Sequence, residues 1–344
     1  AQLVALLDVL VDRLAYLLNA GVDLLELRLL LGRGGLAAGL RPRLGHAEST
    51  GQDQQPGHDR RGACHAAGAA KVASHNLHFG EEPPISGSRG SGTVFFSGCT
   101  LKCLFCQNYP ISQLFHGEPC SVERLAGIFL DLQERGSHNL NLVSPTPYLS
   151  HIVDALEIAR ARGLAIPLVY NTSGDESADV IAQLAGIVDI YLPDLKYGPS
   201  ESSRLLAIEL SGAGDYFVHA AAAISEMFRQ TGPLLLDEND VAVRGTVIRH
   251  LIIPGRTANS IEVLREIAAG PFRGAWLSLM SQYHPCFRAP EEIRRGLTAK
   301  EYQEAVLRAE EMGFESLYTQ PEPFKDDEHL VPDFKRRKPF RWKG

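Results

Sequence analysis

From residue 93 to residue 312 the chain alternates between two hydrophobic patterns. Short runs of β-branched, aromatic and other apolar residues are separated by longer segments whose apolar positions recur at intervals of three and four. The short runs predict strands at 93–97, 139–143, 165–170, 188–192, 246–253 and 275–280. The periodic segments predict helices at 122–135, with Ser121 as N-cap, and at 151–162, 177–185, 260–269 and 299–312. Residues 201–230 carry helical stretches, of which 220–230 is the clearer. Strands alternating with helices make an α/β fold, a parallel sheet covered on both faces. About six such units suit a partial (β/α)6 barrel; the alternation alone fits a full (β/α)8 barrel or an open sheet equally well.

Outside this core the pattern changes. Leu3, Leu6, Leu7, Leu10, Leu14, Leu17 and Leu18 draw one apolar stripe, so residues 1–31 predict a helix, either packed on the body of the protein or offered to a partner. Residues 32–62 are rich in Gly, Arg, Gln and Asp without a period and read as a linker. Residues 63–92 are a lead-in segment that turns Pro-rich and then Gly-rich. Its Gly87, Gly90 and Gly92 allow unusual backbone angles, but no Gly-Lys-Ser/Thr comes after them, so it is not a P-loop. Residues 321–344 become basic, with Lys335, Arg336, Arg337, Lys338, Arg341 and Lys343, and predict a solvated tail or a docking segment for an acidic partner. The expected division is therefore 1–62, 63–92, a core at 93–320, and 321–344.

Composition narrows the function. A 344-residue chain that is 44% hydrophobic can build a substantial core, and a net charge of −7 argues against a general nucleic-acid binder. Asp8, Asp12, Arg13, Asp23, Glu26 and Arg28 interrupt the Leu-rich start, so no membrane span is expected. No basic stretch with a cleavage site suggests a signal peptide. Six cysteines in a chain this long do not make a disulfide scaffold, and a reducing, cytoplasmic setting is expected.

Three of those cysteines fall in one stretch, Ser97-Gly98-Cys99-Thr100-Leu101-Lys102-Cys103-Leu104-Phe105-Cys106-Gln107-Asn108. Three thiolates on a tight loop can hold three corners of a cubane iron–sulfur cluster and leave one iron open. A structural zinc site would want a fourth ligand close by, and no second pair is present downstream. Cys99, Cys103 and Cys106 are thus the candidate metal ligands and the catalytic centre. Cys64 beside His65, Cys120 and Cys286 stand apart. Cys286 is either a redox or relay thiol or a buried, inert one.

The C-x3-C-x2-C spacing with an aromatic before its last cysteine resembles the radical S-adenosylmethionine (SAM) superfamily. The wider string from Gly92-Thr93-Val94-Phe95-Phe96 through Gln107-Asn108 is similar to its pyruvate formate-lyase activating enzyme branch and an uncharacterised group within it. The likeness runs from about residue 62 to about residue 320, and the residues before it do not resemble the family. It implies a [4Fe–4S] cluster whose open iron is chelated by SAM, with Phe105 against the adenine.

The resemblance also implies roles for the residues just beyond the C-terminal end of each strand. Ser144-Pro145-Thr146-Pro147 stands where the family has a Gly-Gly-Glu-Pro-like run that meets the SAM amino group. This chain lacks both glycines and the Glu, leaving Ser144 and Thr146 as candidates. Asn171-Thr172-Ser173-Gly174 resembles an Asp-Thr-Asn-Gly run. Asn171 and Thr172 could meet the SAM ribose or carboxylate or help hold a cation. Asp194-Leu195-Lys196 matches the activating enzymes, where the Lys suits the SAM carboxylate as a point charge. Arg249 through Gly255 resembles an Arg-x4-Pro-Gly run beside the adenine. Ile253 and Pro254 would pack the base and Arg249 would reach inward, while His250 is as readily a satisfied core histidine. Gln282, Tyr283 and His284 are candidates for groups near the substrate.

The activity implied is reductive cleavage of SAM to a 5′-deoxyadenosyl radical for hydrogen abstraction. The implied partners are a glycyl-radical enzyme as substrate and a flavodoxin- or ferredoxin-type electron donor, with neither nucleic acid nor membrane. Alternatives are radical chemistry on a small molecule or another protein residue, a catalytically impaired homologue, and a non-catalytic metal-binding interaction protein.

Overall fold

The computed structural model describes residues 69–320, 332–334 and 339. The expectations for 1–31, for 32–62, for Cys64 and for the basic run of the tail lie outside the described residues. Strand β1 (Ala70–His78) leads into a short helix α1 (Pro83–Ser86) and strand β2 (Ser91–Phe96). Helix α2 (Tyr109–Ser112), strand β3 (Glu118–Cys120) and helix α3 (Val122–Glu134) come next. Then come β4 (Leu140–Val143), α4 (Leu149–Ala161), β5 (Leu168–Thr172), α5 (Ala178–Ala182) and β6 (Ile190–Pro193). Two helices, α6 (Glu201–Ser211) and α7 (Tyr216–Thr231), precede β7 (Leu235–Leu236) and the long β8 (Ala242–Leu251). The described elements end with α8 (Thr257–Ala269), β9 (Trp276–Met280), α9 (Ala299–Glu311) and β10 (Leu317–Thr319).

The strand order is β10-β9-β8-β6-β5-β4-β2-β1-β3, with β7 beside β8. Neighbours from β2 to β10 along this path pair in parallel, and β1 pairs antiparallel with both β2 and β3. This is the expected partial α/β barrel. Among the described residues the path ends at β3 and β10, so it does not close as a (β/α)8 barrel would.

Each central strand divides its side chains between two clusters. Leu168, Tyr170, Tyr191 and Ile248 join the helical residues Leu125, Leu156 and Ile224 in the larger one. Val169, Ile190, Leu192 and Val247 face the other way, with Ile85 of α1 packed among them. The inner face also carries charge. Arg249 donates from Nε to Glu82 Oε1 at 2.8 Å and from Nη2 to Glu81 Oε2 at 2.5 Å, and Asn141 Nδ2 donates to Glu81 Oε1 at 2.7 Å. Burial alone would raise the Glu82 carboxyl, but Arg249 outweighs it and holds the pKa below the ordinary value. The lead-in segment therefore delivers two carboxylates to the inner face of the sheet.

The hydrophobic pattern misses β1 for a physical reason. Its buried positions alternate perfectly, but they are Ala70, Val72, Ser74, Asn76 and His78. A strand whose buried side includes polar residues shows no period in hydrophobicity. Helices α6 and α7 resolve the helical stretches of 201–230, divided at Gly212, which takes the left-handed φ of 69° at the end of α6. Ser121 caps α3 as expected, accepting from the Arg124 N–H at 3.3 Å. Among the described residues no helix is long and apolar enough to cross a membrane.

Candidate active site

The cysteine loop leaves β2 at Gly98, where φ is 96°, and the Gly98 N–H donates to Ile111 O at 3.0 Å. Helix α6 then docks end-on against the loop. Its last carbonyls, Leu210 and Ser211, accept from the N–H groups of Leu104 and Lys102 at 2.8 and 3.0 Å. Carbonyls at a helix C-terminus have no partner within their own helix, so this contact satisfies both sides. Leu101, Cys103 and Phe105 point into the core. The segment after β9 closes over the other side. Arg288 N–H donates to Leu104 O at 2.9 Å, Gln107 Nε2 donates to Gln282 O at 3.1 Å, and the rings of Phe105 and Tyr283 lie 5.7 Å apart.

Cys103 is buried, and Cys99 and Cys106 are half-buried. Burial is the main force pushing each of these thiols up to about 11, and their mutual proximity adds to it. Lys196 acts against this on Cys99 and Cys103. Burial would in turn lower the Lys196 ammonium, but Asp194, its ion-pair partner, and the two sulfurs together hold its pKa up. A positive charge is thus built in beside a set of latent negative ones.

The Lys196 backbone is fixed from several directions. Its N–H donates to Tyr216 Oη at 3.0 Å, and its carbonyl accepts from Asn259 Nδ2 at 2.9 Å. The Tyr216 hydroxyl also reaches the carbonyls of Ser173 and Asp194, at 2.9 and 2.8 Å. Gly174 is required here, because its φ is 85° and a Cβ would collide with the Asp194 carbonyl oxygen. His250 belongs to the same scaffold. Its Nδ1–H donates to Leu195 O at 2.7 Å, since a carbonyl can only accept, and its Nε2 then accepts from Ser260 Oγ at 2.9 Å. Burial lowers its pKa to about 4, which makes it a neutral, satisfied core histidine.

The exits of β4 and β5 meet next to this scaffold. Ser144 takes a left-handed φ of 55°, and its N–H donates to Asn171 O at 2.9 Å. Thr146 Oγ1 lies 3.0 Å from the Tyr170 hydroxyl and donates to Glu176 Oε1 at 2.5 Å, while Thr172 donates to the same oxygen. The other oxygen, Glu176 Oε2, is buried without a hydrogen-bond partner. Burial pushes this carboxyl up to about 7.

The structure therefore brings together Cys99, Cys103, Cys106, Asp194 and Lys196, and joins Ser144, Thr146, Asn171 and Thr172 at the adjacent exits. It assigns other work to several expected residues. Arg249 was expected to reach the cofactor, but its guanidinium is engaged by Glu81 and Glu82. Ile253 is 2% exposed in the large core cluster. Tyr283 is buried and donates to Ile293 O at 3.0 Å, and the Gln282 side chain lies 3.3 Å from Met280 Sδ. His284 is half-buried. Burial holds the half-buried Cys286 thiol up at about 11, and it donates to Phe105 O at 3.4 Å. Cys120 is buried on β3.

Sequence reasoning misses Glu176, which sits in the loop after β5, two residues past Gly174, and it misses Glu81 and Glu82. No local signal marks Ser211, which reaches Cys103 from 108 residues away.

Residues 93–268 match the radical SAM superfamily. The chain belongs to that superfamily. Its relatives include Uncharacterized protein MJ0674 of Methanocaldococcus jannaschii, 30% identical over 253 residues, which are 70% of this chain and 68% of the relative. Two solved structures are similar to part of the chain. "Native anSMEcpe with bound AdoMet" is 15% identical with a TM-score of 0.43, covering 64% of this chain and 59% of its own. "Native anSMEcpe with bound AdoMet and Kp18Cys peptide" is 16% identical with a TM-score of 0.45, covering 62% and 56%.

Membership implies a [4Fe–4S] cluster and SAM, and the donor set fits them. Three mutually adjacent thiols on one loop supply the soft ligands such a cluster takes, with a cation beside them. Among the described residues no group of three or more His, Cys, Asp or Glu side chains is arranged to hold a single metal ion.

Proposed function

We propose that this protein is a radical SAM enzyme in which Cys99, Cys103 and Cys106 hold the cluster and Lys196 anchors the carboxylate of SAM beside it. When bound, the cluster and SAM supply a 5′-deoxyadenosyl radical that abstracts a hydrogen atom from the substrate. The observation that carries the reading is the trio of thiols gathered on one loop, with the Lys196 ammonium beside Cys99 and Cys103. Lys196 offers a point charge held by Asp194 and by its fixed backbone. The α6 terminus and the segment after β9 pack on either side of the loop and fix its backbone.

Glu176 completes the set on our reading. The turn after β4 has no acidic residue of its own, and the carboxylate that reaches it comes from the loop after β5. Its unpartnered oxygen suits the ammonium of the methionyl group, with Ser144, Thr146, Asn171 and Thr172 framing that end of the ligand. The Asp194-Leu195-Lys196 run supports a glycine of a partner enzyme as the target, as in the activating enzymes it resembles, with a flavodoxin- or ferredoxin-type protein as electron donor.

The deciding experiment is electron paramagnetic resonance of the anaerobically reconstituted, reduced protein, with and without SAM. A [4Fe–4S] signal that changes on adding SAM, with 5′-deoxyadenosine formed, supports the reading. Zinc without a cluster sinks it. For Glu176→Gln, SAM binding should weaken roughly tenfold to a hundredfold, the loss of one charged hydrogen bond. The apo variant should gain stability at high pH. The folded carboxyl titrates at about 7 against an ordinary 4.5, so the unfolded chain loses this proton first. Wild-type stability then falls as pH rises between those two values, by about 3 kcal/mol, and the Gln variant lacks that fall. Thr146, Thr172, Tyr170 and Asp175 are the groups that face the carboxyl. Equal SAM affinity in the two proteins would remove Glu176 from the site.

A further inference from the structure

Two of the cysteine sulfurs, those of Cys103 and Cys106, each lie at hydrogen-bond distance from a buried serine hydroxyl, one 108 positions away in the chain and one six, while Ser173 bears on the third, Cys99. Ser211, the last residue of α6, places Oγ 3.0 Å from Cys103 Sγ. Ser112, the last residue of α2, places Oγ 3.2 Å from Cys106 Sγ. Both serines are buried, at 1% and 5% exposure, so water does not compete for these bonds. Behind Ser211 stands Tyr197, its hydroxyl 2.6 Å from Ser211 Oγ and itself fully buried.

We propose that Ser211 and Ser112 donate hydrogen bonds to the cluster-bound sulfurs of Cys103 and Cys106 and raise the reduction potential of the cluster, with Tyr197 fixing the direction of the Ser211 bond. This rests on the cluster reading above. A thiolate bound to iron carries no proton and can only accept, so each serine must donate to it. Ser211 has a single hydroxyl proton. With that proton committed to Cys103, Tyr197 must donate to Ser211. The result is a directed chain, Tyr197 to Ser211 to Cys103, and a single link, Ser112 to Cys106. Hydrogen bonds to the sulfurs draw off negative charge, which favours the reduced cluster, the more negative of its two states. The burial of the loop works the other way, because a low-dielectric site disfavours added charge. The serines offset that penalty at the sulfurs themselves and bring the cluster within reach of its electron donor.

The test is a redox titration, monitored by electron paramagnetic resonance, of the reconstituted full-length protein without SAM. Wild type is compared with Ser211→Ala, Ser112→Ala, Tyr197→Phe and Ser211→Thr. Each Ala variant should keep its iron and sulfide and show a more negative midpoint, with a reduced-to-oxidised ratio at fixed poise roughly tenfold lower, or ~59 mV for one electron. Tyr197→Phe should shift the same way by less, since Ser211 can still donate. Ser211→Thr, which restores a hydroxyl, should return the midpoint toward wild type. Ala variants with a full cluster and an unmoved midpoint overturn the proposal. So does a Ser211→Ala shift that Ser211→Thr fails to reverse, which would mark a packing effect. If Ser211→Ala loses its iron, the Ser112→Ala midpoint decides. A wild-type protein that takes up no cluster overturns the parent reading instead, which separates the two failures.

Discussion

Replacing any one of Cys99, Cys103 or Cys106 by Ala is expected to reduce bound iron to background and SAM cleavage by at least about a hundredfold. Losing even a group that supports a metal ligand costs about tenfold to a hundredfold, and losing a ligand itself costs more. The three should behave alike, because they share one loop and influence one another's ionisation. Cys120→Ala is the control. It sits on β3 opposite Ala70, outside the loop, so iron content should stay at the wild-type level. Iron and sulfide analysis, together with assay of 5′-deoxyadenosine, would check both statements. Full iron in a Cys103→Ala protein would mean the cluster is held elsewhere. Assembly on the wild-type loop should also release protons, since thiols raised to about 11 must lose theirs to become ligands.

The second large effect is on stability. Arg249→Met should cost about 3–5 kcal/mol, because it strands the carboxylates of Glu81 and Glu82 on the inner face of the sheet. The deficit should depend on pH. In the wild type Arg249 holds Glu82 below its ordinary value; without it, burial, the largest influence, is opposed only by a backbone hydrogen bond and by Ser278, and the carboxyl rises. A raised folded pKa means stability is lost as pH rises, so the variant should be weaker at pH ~8 than at pH ~4.5. The triple variant that adds Glu81→Gln and Glu82→Gln should recover part of the loss, because neutral amides need no counter-charge. Urea titration at both pH values would measure this. An Arg249→Met protein of wild-type stability that binds SAM poorly would return Arg249 to the cofactor site.

The legible part of this protein was local. Cysteines at C-x3-C-x2-C spacing, a Ser N-cap before α3 and apolar runs alternating with helical periods are all written within a few residues of one another. Each depends on short-range geometry that a chain cannot easily disguise. The inward-facing part was not legible. The buried side of β1 includes Ser74, Asn76 and His78, so its period was hidden from any hydrophobicity measure. Arg249 looked like a free cation at a strand exit, because its partners lie 167 and 168 positions away.

The same division runs through the active site. The sequence by itself determined the run of three closely spaced cysteines, the alternating α/β core and the Asp194-Leu195-Lys196 run, because each is written within a short stretch of chain. Only the tertiary structure decided which groups surround them. It placed Ser211 and Ser112 on two sulfurs, fixed Lys196 through Tyr216 and Asn259, and left one oxygen of Glu176 buried and unpartnered. These depend on which helix end and which loop meet at the exits of the sheet. Apart from Ser112, which lies six positions from Cys106, such contacts join residues far apart in the chain, and a polar residue carries no local mark of the distant partner that burial will require it to find.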